Sequence, residues 1–234
     1  MKKRRPWKRN LNGSRNISGF NPGGEVKILY GYEFMMLALI IAMASSFAYS
    51  GELQADREII EAIQTFRNER GHFFKTAPNS PLEEFDKRQF KGLKYFPIDL
   101  RYRFEGTIDR YIININDPKY YAIFPTNKGP RKRYVRYGKF RFTLEGREYS
   151  LELYKSIGSD IIFIPFYDKT NGKETYEGGR YLDAEILMPG YRIIVDFNYA
   201  YNPSCVYNEK FVCVFPLEEN RLKIEIPAGE KMFR

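Results

Sequence analysis

The sequence predicts an α+β fold, mainly antiparallel β in a sandwich or barrel-like arrangement, with an N-terminal transmembrane helix and an amphipathic lead-in helix. Three observations predict it. From Leu100 onward, short runs of β-branched and aromatic residues alternate with Gly, Pro and Asn turns. A stretch with helical periodicity precedes them, and an uncharged apolar run precedes that. With 234 residues, 29% of them charged, the composition is that of one globular domain with appendages.

Four parts are predicted along the chain. Residues 1–27 are a basic disordered cytoplasmic tail, residues 28–50 a transmembrane anchor or a signal peptide, residues 51–99 a helical lead-in, and residues 100–234 a β-rich extracytoplasmic domain. The formal net charge is +9. The tail alone carries eight Lys or Arg against one Glu. The basicity therefore belongs mainly to the tail and says little about partners of the folded domain.

The apolar run from Phe34 to Tyr49 contains no charged residue. It falls short of the roughly 20 residues that cross a bilayer core, and extension back to Ile28 reaches that length. Basic residues before it and acidic residues after it predict a cytoplasmic N-terminus and a single-pass protein of the cell membrane, in contact with lipid through residues 28–50. A cleaved signal peptide ending near Ala48–Tyr–Ser50 and a buried core helix are the alternatives.

The lead-in helix is predicted from Ile59, Ile63 and Phe66, which fall at i, i+4 and i+7 with charged residues on the other faces. Ser80–Pro–Leu–Glu83 has the form of a capping box and predicts a second, short helix. His72, the single histidine, lies near the end of the first helix, and we interpret it as a surface or packing residue.

Nine strands are predicted after the helices. Turn chemistry between them is clearest at Asn171–Gly172, where both residues tolerate positive φ. Gly178–Gly179 predicts a bulge or a close backbone approach. The predicted strands cover residues 101–108, 111–115, 120–124, 133–144, 148–154, 161–166, 180–187, 191–197 and 222–226.

Several separated blocks carry a family resemblance. They read FYDKTNGKETYEGGRYLD at 166–183, DFNYAYNPSC at 196–205 and EENRLKIEIPAGEK at 218–231, with further blocks upstream at 80–99 and 131–146. In this order they resemble a bacterial and archaeal family of unknown function, numbered 1684. Two departures are Ser204, where the family usually shows a second proline, and Val214–Phe215, which interrupts a proline-rich run. The family has no established activity, so the resemblance implies no substrate.

Unusual polar residues gather at strand ends between residues 160 and 205. Arg180, with tyrosines and amides around it, is the main binding candidate, because a guanidinium fork among such groups suits a carboxylate, phosphate or sugar ligand. The structural alternative is that these groups satisfy one another at a crowded end of the fold. The predicted ligand-binding set is Asp168, Thr170, Glu174, Thr175, Tyr176, Arg180, Tyr181, Asp196, Asn198, Tyr201 and Asn202.

Four carboxylates offer an acid/base pair or oxygen ligands for a hard cation, namely Asp168, Glu174, Asp183 and Asp196. In the structural alternative Asp168 caps the turn that follows it, Glu174 is exposed, and Asp196 pairs with Arg180. No spacing matches a calcium loop, a zincin helix, a P-loop or a nucleophile elbow. Catalytic residues and cofactors therefore stay unassigned.

Cys205 and Cys213 bracket a short loop. Outside the cytoplasm such a pair most simply forms a disulfide, worth roughly 2–3 kcal/mol. Free buried thiols and metal ligation are the alternatives. Two cysteines and a distant histidine do not supply the four ligands of a structural zinc site, so no metal is predicted.

The sequence predicts a membrane-anchored extracytoplasmic binding or accessory module of unknown specificity, with membrane proteins as candidate partners in a larger assembly. The alternative is an enzyme that uses carboxylates or a divalent cation on a small polar substrate. Residues 131–141 alternate basic and aromatic side chains, as a single-strand nucleic-acid surface does. We interpret them as a solvated hairpin face, because an extracytoplasmic location argues against nucleic acid.

Overall fold

The computed structural model describes residues 25–114 and 116–233, and within residues 25–50 it describes the side chains of 35–44 and Ser50 only. The predicted disordered tail therefore lies almost wholly outside the described residues. The chain divides into two units, Met1–Gln54 and Ala55–Arg234.

The first helix, α1, runs from Glu25 to Thr76. In the first unit, the side chains of residues 35–44 are exposed. Those of residues 28–34 and 45–49, which belong to the predicted anchor, lie outside the description. In the part of the chain that the structure describes, no helix has a stretch both long enough and apolar enough to cross a membrane.

The C-terminal part of α1 belongs to the second unit and follows the predicted periodicity. Ile63 is fully buried, and Ile59 and Phe66 are half-buried. A second helix, α2, covers Glu84–Gln89. The predicted capping box at Ser80–Glu83 is wrong. The Ser80 hydroxyl accepts the backbone N–H of Leu82 at 3.1 Å, but the N-cap of α2 is Glu83, and its side chain makes no cap hydrogen bond.

Nine strands follow: β1 (Arg103–Thr107), β2 (Asp109–Arg110), β3 (Tyr121–Phe124), β4 (Lys132–Leu144), β5 (Arg147–Lys155), β6 (Ile162–Phe166), β7 (Arg180–Ala184), β8 (Ile186–Leu187) and β9 (Arg192–Asp196).

Two predicted strands are wrong, those at 111–115 and 222–226: no strand is found at 111–114, the described part of the first, or at 222–226. The second segment bends at residues 223–224, and its backbone groups bond outside any ladder. The carbonyl of Ile224 accepts from Lys169 N–H, and the N–H of Ile226 donates to the Asp168 carboxylate. The hydrogen-bond partners of this segment are therefore a side chain and a turn, and not the neighbouring strand that the β pattern predicted.

All strand pairs are antiparallel. One sheet has the order β2-β4-β5-β6-β7, with β3 also paired to β4, and the other has the order β1-β9-β8. A single hydrophobic cluster contains Phe140 and Leu151 of the first sheet and Ile193 and Val195 of the second. The two sheets therefore share one core, and the mainly antiparallel β prediction is confirmed.

The loop between β6 and β7 and the chain after β9 bring the predicted site segments together. Gly179 ends that loop with φ +88°, and a Cβ built there would lie 2.8 Å from the Phe166 carbonyl oxygen. The predicted close backbone approach is thus present. Tyr181 and Tyr201 then exchange two backbone hydrogen bonds of 2.9 Å, which holds β7 against the chain that follows β9.

Candidate functional site

Arg180, the centre of the predicted site, is fully buried. Its Nη2 lies 2.7 Å from Oδ2 of Asp168, which is also buried. The sequence-based alternative paired Arg180 with Asp196, and that pairing is wrong. Burial lowers the pKa of Arg180, an effect that Asp168 opposes. A guanidinium remains charged in either case, so the pair is a salt bridge inside the protein.

The remaining bonds of Arg180 go to the C-terminal segment. Nη2 donates to the carbonyl of Ile226 at 2.8 Å, and Nη1 donates to the carbonyl of Ala228. Asp168 Oδ1 meanwhile accepts the N–H of Thr170 at 2.8 Å, so this carboxylate caps its turn as well. Because both Nη atoms are taken by protein acceptors, the structure places Arg180 as a clamp on the C-terminal segment, away from any open surface.

The turn after Asp168 is tied together by its own side chains. The hydroxyls of Thr170 and Thr175 are 2.8 Å apart, and both residues are buried. Glu174 is exposed and pairs with Lys231 at 3.1 Å, and Tyr176 is half-buried. None of these four side chains belongs to the surface pocket that Tyr181, Asp183 and Tyr201 line.

Asp196 and Asn198 form a second network, separate from Arg180. Asp196 Oδ1 accepts the N–H of Asn198 at 2.9 Å, and its Oδ2 pairs with Arg103 at 3.3 Å. The Asn198 amide bonds both ways to the backbone of Asp99, at 3.0 and 2.9 Å. This network fixes the end of β9 against the chain before β1.

Asn202 belongs to a third network around Glu230, which is 1% exposed. Asn202 Nδ2 donates to Glu230 Oε1 at 3.2 Å, and Tyr207 also donates to that oxygen. Arg70 of α1 lies 3.6 Å from the other carboxylate oxygen. Burial raises the pKa of Glu230, and Arg70 opposes the rise. Within the second unit, the group joins the C-terminal part of α1 to the chain after β9.

Tyr181, Tyr201 and Asp183 meet in a pocket of about 340 Å³. Tyr134 of β4 and Phe163 of β6 complete an aromatic wall, in which the rings of Phe163 and Tyr181 are 4.9 Å apart. The phenol of Tyr181 donates to the carbonyl of Val214 at 2.5 Å. The two segments that the sequence singled out therefore do build an open site, but with their tyrosines and not with Arg180.

Asp183 is the charged acceptor of this pocket. Its Oδ2 accepts the phenol hydrogen of Tyr201 at 2.7 Å. The side chain is exposed, yet the surrounding protein excludes enough water to raise its pKa, while the Tyr201 hydrogen bond and Arg70 oppose the rise. Burial and the nearby Asp183 in turn raise the pKa of Tyr201, so its phenol stays the donor.

Cys213 lines the same pocket, and Cys205 lies beside it. Both are free thiols in the structure, in contrast to the disulfide that the sequence favoured. The backbone N–H of Cys205 points at Cys213 Sγ, with an N···S distance of 3.2 Å. The hydrogen bond from the Cys205 thiol, this N–H and the charge of Lys132 lower the pKa of Cys213, whereas the pKa of Cys205 is raised.

The four predicted carboxylates do not form one catalytic or metal-binding cluster. Asp168 and Asp196 each belong to a separate buried network, and Glu174 pairs with a lysine at the surface. Across residues 25–114 and 116–233, no group of three or more His, Cys, Asp or Glu side chains is placed to hold a metal ion.

The sequence of most of this chain matches a known protein family. The family described as "Protein of unknown function (DUF1684)" matches residues 88–231, which include every strand and all residues of the pocket. The chain belongs to the DUF1684 family. The resemblance inferred from the sequence blocks is thereby confirmed.

A solved structure is similar to this DUF1684 chain. It is the solution NMR structure of an uncharacterized protein of Haloarcula marismortui, 30% identical in sequence, with a TM-score of 0.58. The similarity covers 76% of this chain and 96% of that chain. No curated protein matches the sequence.

The predicted ligand-binding set contains Tyr181 and Tyr201 of the pocket lining but lacks its other residues, of which Tyr134 and Asp183 matter most for the chemistry. Asp183 stood among the candidate carboxylates, and Tyr134 lies in the basic and aromatic strand at 131–141. The alternation in that strand indicates which side chains face inward, but not which neighbour they meet. The sequence therefore indicated on which face of the strand Tyr134 lies, but not that Tyr134 belongs to the site.

Proposed function

We propose that this DUF1684 protein is a binding module whose ligand carries a positively charged nitrogen and occupies the Asp183 pocket. The observation that carries the proposal is a carboxylate that lines an aromatic-walled pocket and, among the described residues, has no basic side chain in direct ion-pair contact. Among residues 25–114 and 116–233, Asp183 forms no ion pair, and its Oδ2 accepts a hydrogen bond from the neutral phenol of Tyr201.

A carboxylate that has lost part of its hydration is stabilised by a cation that enters the same space. The raised pKa of Asp183 reports that partial loss. An ammonium or guanidinium group bound beside Asp183 would offset it, and the same linkage makes binding weaken as Asp183 becomes protonated. An anionic group beside Asp183 meets the opposite situation, because it would place like charges together. Lys132 also lines the pocket, but its ammonium group donates to the carbonyl of Val212 at 3.0 Å.

The aromatic wall favours the same ligand class. Tyr134, Tyr181 and Tyr201 all line the pocket, and a cation over such a ring gains about 0.5–2 kcal/mol. The protein already uses one of these rings in this way, since the guanidinium carbon of Arg70 lies 4.9 Å from the Tyr201 ring centroid. A volume of about 340 Å³ fits a small molecule or a single side chain better than an extended chain.

The test is calorimetric titration of choline and of spermidine into the full chain and into Asp183→Asn. We expect the wild type to bind at least one of them, and the variant to bind it at least about tenfold more weakly, which corresponds to about 1.4 kcal/mol. Asp109→Asn is the matched control, because it removes the same charge at an exposed position outside the pocket and should bind like the wild type. Equal affinities in wild type and Asp183→Asn, or no binding of either cation by the wild type, would refute the proposal.

We also propose that residues 28–50 anchor this module in a membrane, with the N-terminus on the cytoplasmic side. In support, the run from Phe34 to Tyr49 carries no charge, and seven large hydrophobic side chains between Met35 and Met43 are exposed. The basic tail before the run favours this orientation. Alkaline carbonate extraction should leave the full chain in the membrane fraction and release a Leu37→Lys/Ile41→Lys variant. Release of the unmodified chain would contradict the anchor.

A further inference from the structure

We propose that Cys213 and Cys205 form a thiol–disulfide exchange site in the wall of the Asp183 pocket, with small disulfides as the substrate class. Cys213 is the attacking thiol and Cys205 the resolving thiol. The site is independent of the cation-binding proposal, because neither thiol is needed to hold a ligand at Asp183.

The two cysteines differ in their position relative to the pocket. Cys213 lines the pocket together with Ser204 and Val212, whereas Cys205 does not line it. The backbone of Cys213 is held in place, since its N–H donates to Asn127 Oδ1 at 2.9 Å. A molecule in the pocket therefore meets Cys213 first, and Cys205 lies next to it outside the pocket lining.

The groups around Cys213 favour its thiolate. Its sulfur accepts from the Cys205 thiol and from the Cys205 backbone N–H, the latter at 3.2 Å. The ammonium group of Lys132 lies on the same side and is fixed by a 3.0 Å bond to the carbonyl of Val212. These contacts lower the pKa of Cys213 and raise that of Cys205, so the proton of the pair resides on Cys205.

The exchange balances in two steps. The Cys213 thiolate attacks one sulfur of a disulfide RSSR, so that a Cys213–SR bond forms, the S–S bond breaks and RS⁻ leaves. The Cys205 thiol then loses its proton and attacks Sγ of Cys213, which forms the Cys205–Cys213 disulfide and expels the second RS⁻. One of the two leaving thiolates takes up the Cys205 proton. The thiolate–thiol pair of the protein is oxidised to a disulfide, and RSSR is reduced to one thiol and one thiolate.

The experiment uses the reduced full chain and hydroxyethyl disulfide, with the mass of the intact protein as the readout. The wild type should lose two hydrogens and retain no adduct, because Cys205 resolves the mixed disulfide. Cys205→Ser should retain one mercaptoethanol on Cys213. Cys213→Ser should react at least about tenfold more slowly, since the remaining thiol has the higher pKa. Equal rates for the two single variants, or no adduct on Cys205→Ser, would overturn the assignment.

A measurement on the unmodified protein covers the case in which a variant fails to fold. Brief treatment of the reduced wild type with iodoacetamide, followed by peptide mapping, should show Cys213 alkylated well before Cys205. The oxidised protein should also be reduced by dithiothreitol in its folded state, with its circular dichroism unchanged. Preferential alkylation of Cys205 would overturn the assignment of Cys213 as the attacking thiol. A disulfide that is reduced only after denaturation would instead indicate a purely structural crosslink.

Discussion

Replacement of Arg180 by methionine should remove a large part of the stability of the domain. The substitution keeps a long apolar stem and deletes the guanidinium that pairs with Asp168 at 2.7 Å. A carboxylate with no exposed surface then loses its counter-ion, a change that typically costs about 3–5 kcal/mol. The carbonyls of Ile226 and Ala228 lose donors at the same time. We therefore expect a loss of about 4 kcal/mol or more, against a usual total of about 5–15 kcal/mol.

Urea unfolding of the full chain, followed by circular dichroism, measures this loss. With a slope of about 2 kcal/mol per molar urea, the midpoint should fall by about 2 M. Arg221→Met is the matched control, because Arg221 is exposed. Its ion pair with Glu218 and its guanidinium contact with the Tyr167 ring, 4.1 Å from the ring centroid, are each worth about 1 kcal/mol or less. A double variant that also carries Asp168→Asn should be more stable than the sum of the single losses predicts, since no unpaired charge remains buried.

A small midpoint shift in Arg180→Met, comparable to that of Arg221→Met, would refute the buried-clamp reasoning. Strict additivity in the double variant would refute it as well, because additivity means that the two side chains do not interact. Either result would return Arg180 to consideration as a ligand-binding group.

Two further predictions concern the backbone at Gly179 and the titration of Asp183. Gly179→Ala should destabilise the protein by clearly more than Gly158→Ala, although both glycines have positive φ. A Cβ at residue 179 would lie 2.7 Å from Pro216 Cγ and 2.8 Å from the Phe166 carbonyl oxygen, whereas a Cβ at residue 158 would meet nothing within 4 Å. Equal midpoints in thermal unfolding would contradict the close approach. For Asp183, the pKa is higher in the folded state than in the unfolded state, so protonation of Asp183 stabilises the fold. This stabilisation is complete below the unfolded-state pKa and is lost as the pH rises through the folded-state pKa. The stability of Asp183→Asn relative to the wild type should therefore increase between pH 4 and pH 7 in urea titrations, and a constant or shrinking difference would show that the carboxylate is not desolvated.

The sequence by itself determined the local structure of this protein. The run at 161–166 and the alternation at 133–144 predicted β6 and β4 closely, because side-chain periodicity and β-propensity act within a few residues. The turn at Asn171–Gly172 and the close approach at Gly179 also followed from local backbone rules, and Gly172 has φ +77°. Block order was specific enough to predict the family.

Only the tertiary structure decided which side chains meet. Asp168 and Asp196 are equally plausible partners for Arg180 along the chain, and the choice depends on how the loop after β6 folds beneath the C-terminal segment. Because Arg180 is buried, the main binding candidate of the sequence holds the C-terminal segment in place, whereas Asp183 lines the pocket. The sequence placed polar groups at strand ends, but whether such a group binds a ligand or a neighbour depends on its exposure, and exposure is a property of contacts between residues far apart in the chain.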